Sequence, residues 1–138
     1  MLCEVKNLKK THVAAGIILK DRQVFISKRN AQQHQGNKWE FPGGKVEAEE
    51  TSLEALVREL KEEVALVVTN ADLFHQLEFD YGDKRVQLDF YLVNEFSGIG
   101  QGLEGQQTAW VNIAELPNYT FPAANQVIVD MLIAQFGS

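Results

Sequence analysis

Apolar and polar positions follow two different periods along this chain, and the changes of period mark its elements. Thr11 to Leu19, THVAAGIIL, is apolar or β-branched almost throughout, which predicts a buried strand. KDRQ turns the chain, and VFIS returns as a hairpin partner. Lys28 to Lys38 is polar and predicts a loop; WEF is a short strand stopped by Pro42, Gly43 and Gly44. Between Asp72 and Phe96, HQLEFDY and RVQLDFYLV each alternate in part around GDK, the pattern of a long antiparallel hairpin. Ser97 to Gln107 is glycine-rich and predicts a loop. TAWVNI is a short strand, and AELPNYTFPAAN is a connection broken by Pro117 and Pro122.

Two stretches carry helical spacing. Thr51 and Glu54 fit a capping box, and Leu53, Leu56, Val57, Leu60 and Val64 form one apolar stripe behind it. NQVIVDMLIAQF closes the chain as an amphipathic helix. The order β-β-β-α-β-β-β-α predicts one domain spanning residues 1–138. Helices on both faces of a mixed, largely antiparallel sheet would bury both stripes, giving an α/β/α sandwich.

Composition narrows the function. The chain is 45% hydrophobic and 23% charged, too apolar for disorder to be its main state. A net charge of −6 leaves no electrostatic footprint for nucleic acid or an anionic membrane, so neither is expected as a partner. A polyphosphate stays open, because bound divalent cations invert the local field. Cys3 is the single cysteine, which excludes an intramolecular disulfide and predicts a reducing compartment. MLCEVKNLKK has no apolar secretory core and no apolar run reaches the length of a membrane span, so a cytoplasmic protein is expected.

The helix after Thr51 supplies the candidate chemistry. On a helical wheel Glu59, Glu62 and Glu63 fall within an arc of about 100°, with Arg58 beside them. Three clustered carboxylates repel one another, and a divalent cation reverses the sign. Oxygen ligands without a Cys or His cluster suit magnesium or manganese rather than zinc. A stretch such as RELKEEV is more often a solvated helix face; specificity comes from the whole arrangement of Gly44, Glu50, Arg58, Glu59, Leu60, Glu62, Glu63 and Leu66.

That arrangement resembles the Nudix box. It departs at Ala65, where the family has glycine, which predicts a local stability cost if the position needs positive φ. GNKWEFPGGKVE, QLEFDY, LEGQQ and FPAANQVI extend the resemblance to the MutT-like branch of the family, from about Ala14 to Leu132. The resemblance implies the Nudix fold and a Mg²⁺-dependent hydrolase, with Mn²⁺ a possible substitute. The implied reaction takes 8-oxo-dGTP to 8-oxo-dGMP and pyrophosphate, in nucleotide-pool sanitation that serves DNA repair and replication fidelity. The implied partner is a small nucleoside triphosphate, met by a monomer.

By the same resemblance, Glu59, Glu62, Glu63 and Glu104 with the Gly43 carbonyl bind metal, and Gly44 allows the bend that places that carbonyl. Glu59 is the first candidate to deprotonate the attacking water and Glu104 the second. Arg58 pins a neighbouring glutamate, and Glu50 supports Arg58 or the glycine loop. Arg29 and His34 match positions that contact the nucleotide, and Glu40, Phe41 and Pro42 match the wall of its pocket. Asn125 matches the asparagine that contacts the oxidised base; without the family it reads as a helix N-cap. If Asn125 reads the base, another group must cap that helix. Lys84, on the hairpin turn, reads as a solvated lysine or a lid residue. Two other activities share the box: a pyrophosphatase for another nucleotide such as CTP or dCTP, and a non-catalytic nucleotide sensor. The full set of box glutamates argues against the sensor.

Overall fold

The computed structural model describes residues 10–32, 36–82 and 84–137. Its elements are β1 (Lys10–Lys20), β2 (Gln23–Lys28), β3 (Trp39–Glu40), β4 (Gly43–Lys45), α1 (Ser52–Val64), β5 (Val67–Asp80), β6 (Arg85–Ser97), β7 (Thr108–Asn112), a 3₁₀ turn (Ile113–Asn118) and α2 (Ala123–Phe136). The sheet runs β3-β2-β1-β6-β5, with β4 also paired to β1 and β7 to β2. Only β1 and β6 pair in parallel; the other described pairs are antiparallel.

The two faces of β1 explain the sandwich. Ala14 and Ile18 turn into a cluster with Ala55, Leu56, Leu60 and Val64 of α1. Ala15 and Ile17 turn the other way, into a cluster with Ala124, Ile128, Val129 and Leu132 of α2. A strand buried on both faces needs apolar residues at successive positions, which is why THVAAGIIL does not alternate. One helix therefore packs on each face of a mixed sheet, the expected α/β class.

Three boundaries and one burial differ from expectation. Gly43 and Gly44 do not simply stop a strand: they begin β4, pairing with Ala15 and Ala14. Neither has positive φ, so Gly44 is not required for a bend. Space is the reason for glycine. A Cβ on Gly43 would stand 2.0 Å from the Ala14 carbonyl oxygen, and one on Gly44 2.3 Å from the Glu59 carboxyl carbon. Leu53 belongs to the apolar stripe by angle yet is 40% exposed, because periodicity gives direction and not the extent of the surface opposite. β5 begins at Val67 rather than near Asp72, directly after α1. α2 begins at Ala123, so Pro122 and not Asn125 is its N-cap.

At the start of α1 the capping box forms: Thr51 Oγ1 accepts from Glu54 N–H at 3.1 Å, and Glu54 Oε1 from Thr51 N–H at 2.9 Å. At its end, Ala65 has φ 58° and ψ 38°, the left-handed conformation that glycine adopts without cost. Ala65→Gly should therefore stabilise the protein by about 1 kcal/mol, a rise of about 3 °C in Tm. An unchanged or lower thermal midpoint would mean that the left-handed cap carries no strain.

Candidate active site

One cleft of about 640 Å³ gathers most of the candidate residues, a volume suited to a small ligand. Its lining includes Arg29, Glu40, Phe41, Gly43, Gly44, Glu59, Glu63, Glu104 and Asn125. Lys84 joins it from the β5–β6 turn. Pro42 is buried beside it, and its carbonyl accepts from Gly16 N–H at 2.8 Å. His34 lies outside the described residues. Glu62 stays outside the cleft, its side chain 60% exposed.

The acidic end is assembled by the end of α1. A helix leaves its last carbonyls without internal partners. Here the glycine-rich loop after β6 supplies the donors: Gln101 N–H to Val64 O at 2.9 Å, Leu103 N–H to Glu63 O at 3.0 Å, and Gln106 Nε2 to Glu63 O at 3.2 Å. Gln106 Oε1 also accepts from Glu104 N–H at 2.9 Å. A segment predicted only as a loop is thus tied to the helix, and the tie sets Glu104 near Glu63.

Arg58 organises the other side. Its Nε and Nη2 donate to both oxygens of Glu50, at 2.7 and 2.8 Å. Nη1 donates to Glu59 at 3.0 Å and to Glu62 at 3.4 Å, and Nη2 to the Lys45 carbonyl at 3.2 Å. These bonds hold the Glu50 carboxyl down to about 2, chiefly through the hydrogen bond from Arg58. The same fork presses Glu59 toward Gly44, where only a residue without a side chain fits.

Among the described residues, no Lys or Arg pairs with Glu63 in this way. Burial, then the hydrogen bond and charge of Glu59 and the charges of Glu104 and Glu40, push its carboxyl up to about 9. The cluster therefore holds a proton at neutral pH, where an exposed glutamate would not. Carboxylates this crowded, facing a cleft and bordered by a glycine backbone, fit a hard divalent cation. Among the described residues no three acidic, His or Cys groups enclose an ion unaided. Water and substrate oxygens would have to complete its shell, as is usual for Mg²⁺.

The proton on Glu63 has a measurable consequence. A carboxyl raised in the folded state contributes stability that is complete below its unfolded value and is lost as pH rises toward the folded one. Without divalent cation, Tm should fall between the ordinary carboxylate range and about pH 9. Glu63→Gln should flatten that slope. A parent slope that survives the substitution would assign it to another group.

The cleft lining also includes Phe41 and, from α2, Asn125. Phe41 is 2% exposed, its ring stacked on Phe121 at 5.6 Å. Its backbone N–H donates to Asn125 Oδ1 at 3.3 Å, and Asn125 is 8% exposed. Engaging Oδ1 in this way orients the amide of a residue that lines the cleft. Arg29 Nη1 donates to Glu40, also in the cleft lining. Burial raises the Glu40 carboxyl, against the charge and hydrogen bond of Arg29.

Two contributors carry no assigned role in the sequence, Gln106 and Tyr81. Tyr81 Oη accepts from Ala124 N–H at 3.0 Å in the first turn of α2. The sequence requires another capping group only if Asn125 reads the base; the structure, with Pro122 as the N-cap, offers no side-chain oxygen there. The donor's partner lies 43 residues away and is not visible in the sequence.

Comparison with known proteins agrees with this architecture. The chain is 40% identical over 126 residues to the 8-oxo-dGTP diphosphatase of Escherichia coli (strain K12), covering 91% of this chain and 98% of that one. It is 32% identical over 127 residues to the CTP pyrophosphohydrolase of the same organism, covering 92% and 94%. Among solved structures, one from a study of MutT from Aliivibrio salmonicida and Vibrio cholerae superposes with a TM-score of 0.83 at 47% identity, covering 93% of this chain and 100% of that one. Residues 13–131 match the NUDIX domain, and with that match the chain belongs to the Nudix family.

Proposed function

We propose that this chain is a nucleoside triphosphate pyrophosphohydrolase that converts 8-oxo-dGTP to 8-oxo-dGMP and pyrophosphate. Nudix hydrolases typically use a divalent metal and act on small nucleotides; the ion proposed for this chain is Mg²⁺, with Mn²⁺ able to replace it. The observation that carries the proposal is one cleft lined both by the oriented, nearly buried Asn125 amide and by the carboxylates of Glu59, Glu63 and Glu104. The E. coli relative named 8-oxo-dGTP diphosphatase supports the same substrate.

Glu59, Glu63, Glu104 and the Gly43 carbonyl are the proposed ligands, joined by Glu62 if its exposed side chain turns inward. The bound cation would neutralise phosphate charge and lower the pKa of an attacking water. That water's oxygen forms a bond to the β-phosphorus, and the bond from β-phosphorus to the α–β bridging oxygen breaks. The bridging oxygen leaves with the nucleoside monophosphate. Glu59, or Glu104 in its place, takes the water's proton. Arg58 and Glu50 keep Glu59 in position. Arg29 and His34 are proposed to meet the nucleotide, Glu40, Phe41 and Pro42 to form the wall of its pocket, and Asn125 to read the base. The protein would work as a cytoplasmic monomer in sanitation of the nucleotide pool; no described helix is long and apolar enough to cross a membrane.

Pyrophosphate release from 8-oxo-dGTP, dGTP, dCTP and CTP with Mg²⁺ tests the proposal. A kcat/KM for 8-oxo-dGTP well above the other three is expected. Equal values for 8-oxo-dGTP and dGTP would sink it, and a preference for CTP would favour the activity named for the second relative.

A further inference from the structure

Asn125 is where the helix and the base compete for one side chain. Asparagine is among the preferred N-cap residues, because its amide oxygen can take a first-turn N–H. A helix starting just after Asn125 would draw the amide back onto its own backbone. In the structure α2 starts three residues earlier, after Pro122, and Asn125 occupies the third helical position. Pro122 makes no side-chain cap, so the N–H groups of the first turn need acceptors from elsewhere.

Tyr81 supplies one. Its hydroxyl, at the tip of the β5–β6 hairpin, accepts from Ala124 N–H at 3.0 Å. Ala124 is fully buried, so solvent is poorly placed to replace that acceptor. The next residue is Asn125, whose amide oxygen accepts from Phe41 N–H on the facing wall. Two consecutive residues of α2 are therefore held from two other elements. The tyrosine ring is itself fixed: it lies 4.6 Å from Phe79, and Tyr81 N–H donates to the Lys84 carbonyl at 2.8 Å to close the turn. Tyr81 also lines the cleft.

We propose that Tyr81 is a positioning residue for base selection: by capping α2 from across the cleft, it keeps Asn125 out of the N-cap role and its amide available to the base. This rests on the substrate proposed above. Without the hydroxyl, the buried Ala124 N–H loses its acceptor, and the helix start moves to Asn125, the nearest residue able to cap it. The amide then turns toward the N–H groups of the residues that follow, and the base loses its partner. The carboxylate end of the cleft, built on α1 and the loop after β6, is unaffected.

Tyr81→Phe tests this, since it keeps the ring and removes only the hydroxyl. Steady-state kinetics on 8-oxo-dGTP and dGTP with Mg²⁺ should show KM for 8-oxo-dGTP rising about fivefold, the scale of a lost helix cap. KM for dGTP and both kcat values should stay near those of the parent. Amide hydrogen exchange on the nucleotide-free protein should show faster exchange at Ala124, with protection retained beyond Gln126. A merely structural tyrosine would lower stability and leave the ratio of KM values alone. Preference in the parent with an unchanged KM ratio in the variant overturns the inference while leaving the substrate proposal standing. A parent without preference overturns both, and that result precedes any variant. Unchanged exchange at Ala124 overturns the capping role directly.

Discussion

Glu59→Gln should lower kcat for nucleotide hydrolysis by about a thousandfold or more, with Mg²⁺ saturating and the fold intact. The substitution keeps volume and a carbonyl oxygen that can still accept from Arg58 Nη1, now at 3.0 Å from the carboxylate. What it removes is one negative charge beside Gly44 and the group proposed to take the water's proton. Stability should move the other way. Glu59 hydrogen-bonds to Glu63 and repels its charged form, so a neutral residue relieves part of the crowding that holds the Glu63 carboxyl up near 9. Against this stands the weakened ion pair with Arg58. That guanidinium keeps both oxygens of Glu50, so the loss is partial. A metal-free Tm equal to or above the parent's, paired with a collapsed kcat, separates a chemical defect from misfolding. A kcat within tenfold of the parent's would remove Glu59 from the proposed ligand set.

What the sequence discloses and what it conceals divide along the distance over which each feature is determined. The start of α1 is legible because a capping box and a 3.6-residue period are local: Thr51, Glu54 and the run behind them need no partner to be recognised. The left-handed residue at the end of α1 is marked only by the resemblance, which has glycine where this chain has Ala65; the structure supplies the positive φ that makes the departure costly. Strand β4 is concealed because its cause is remote. Gly43 and Gly44 are small on account of Ala14 and Glu59, and no window around PGG contains either. The wheel places Glu59, Glu62 and Glu63 within one arc, but it does not know which edge of that arc faces the sheet. Glu59 and Glu63 turn inward to the cleft while Glu62 remains in solvent. Tyr81 and Gln106 are the same lesson at the level of hydrogen bonds. The orphan groups at helix ends are predictable from the sequence; the residues that satisfy them belong to other elements and emerge only with the fold.

Asn125→Ala should cost roughly a hundredfold in the ratio of kcat/KM for 8-oxo-dGTP over dGTP, while turnover of dGTP persists. The size follows from what the side chain offers. A nearly buried amide presents a donor and an acceptor together, and a site that hydrogen-bonds its ligand rejects the analogue lacking the matching group far more sharply than an apolar pocket does. Truncation has a second effect to be separated from the first. It strips the acceptor from Phe41 N–H, on a residue 2% exposed, which costs roughly 1–3 kcal/mol for an unpaired buried donor. That loss falls on the folded protein whichever nucleotide is present, so it lowers Tm without changing the ratio between substrates. Discrimination and stability thus report different atoms of the same side chain. A fall in Tm with an unchanged ratio would make Asn125 a structural acceptor for Phe41 alone. An unchanged Tm with a collapsed ratio would mean that the Phe41 bond contributes nothing to the fold. Only the joint loss matches a residue whose oxygen is held by the wall of the cleft so that its amide can be read by the base.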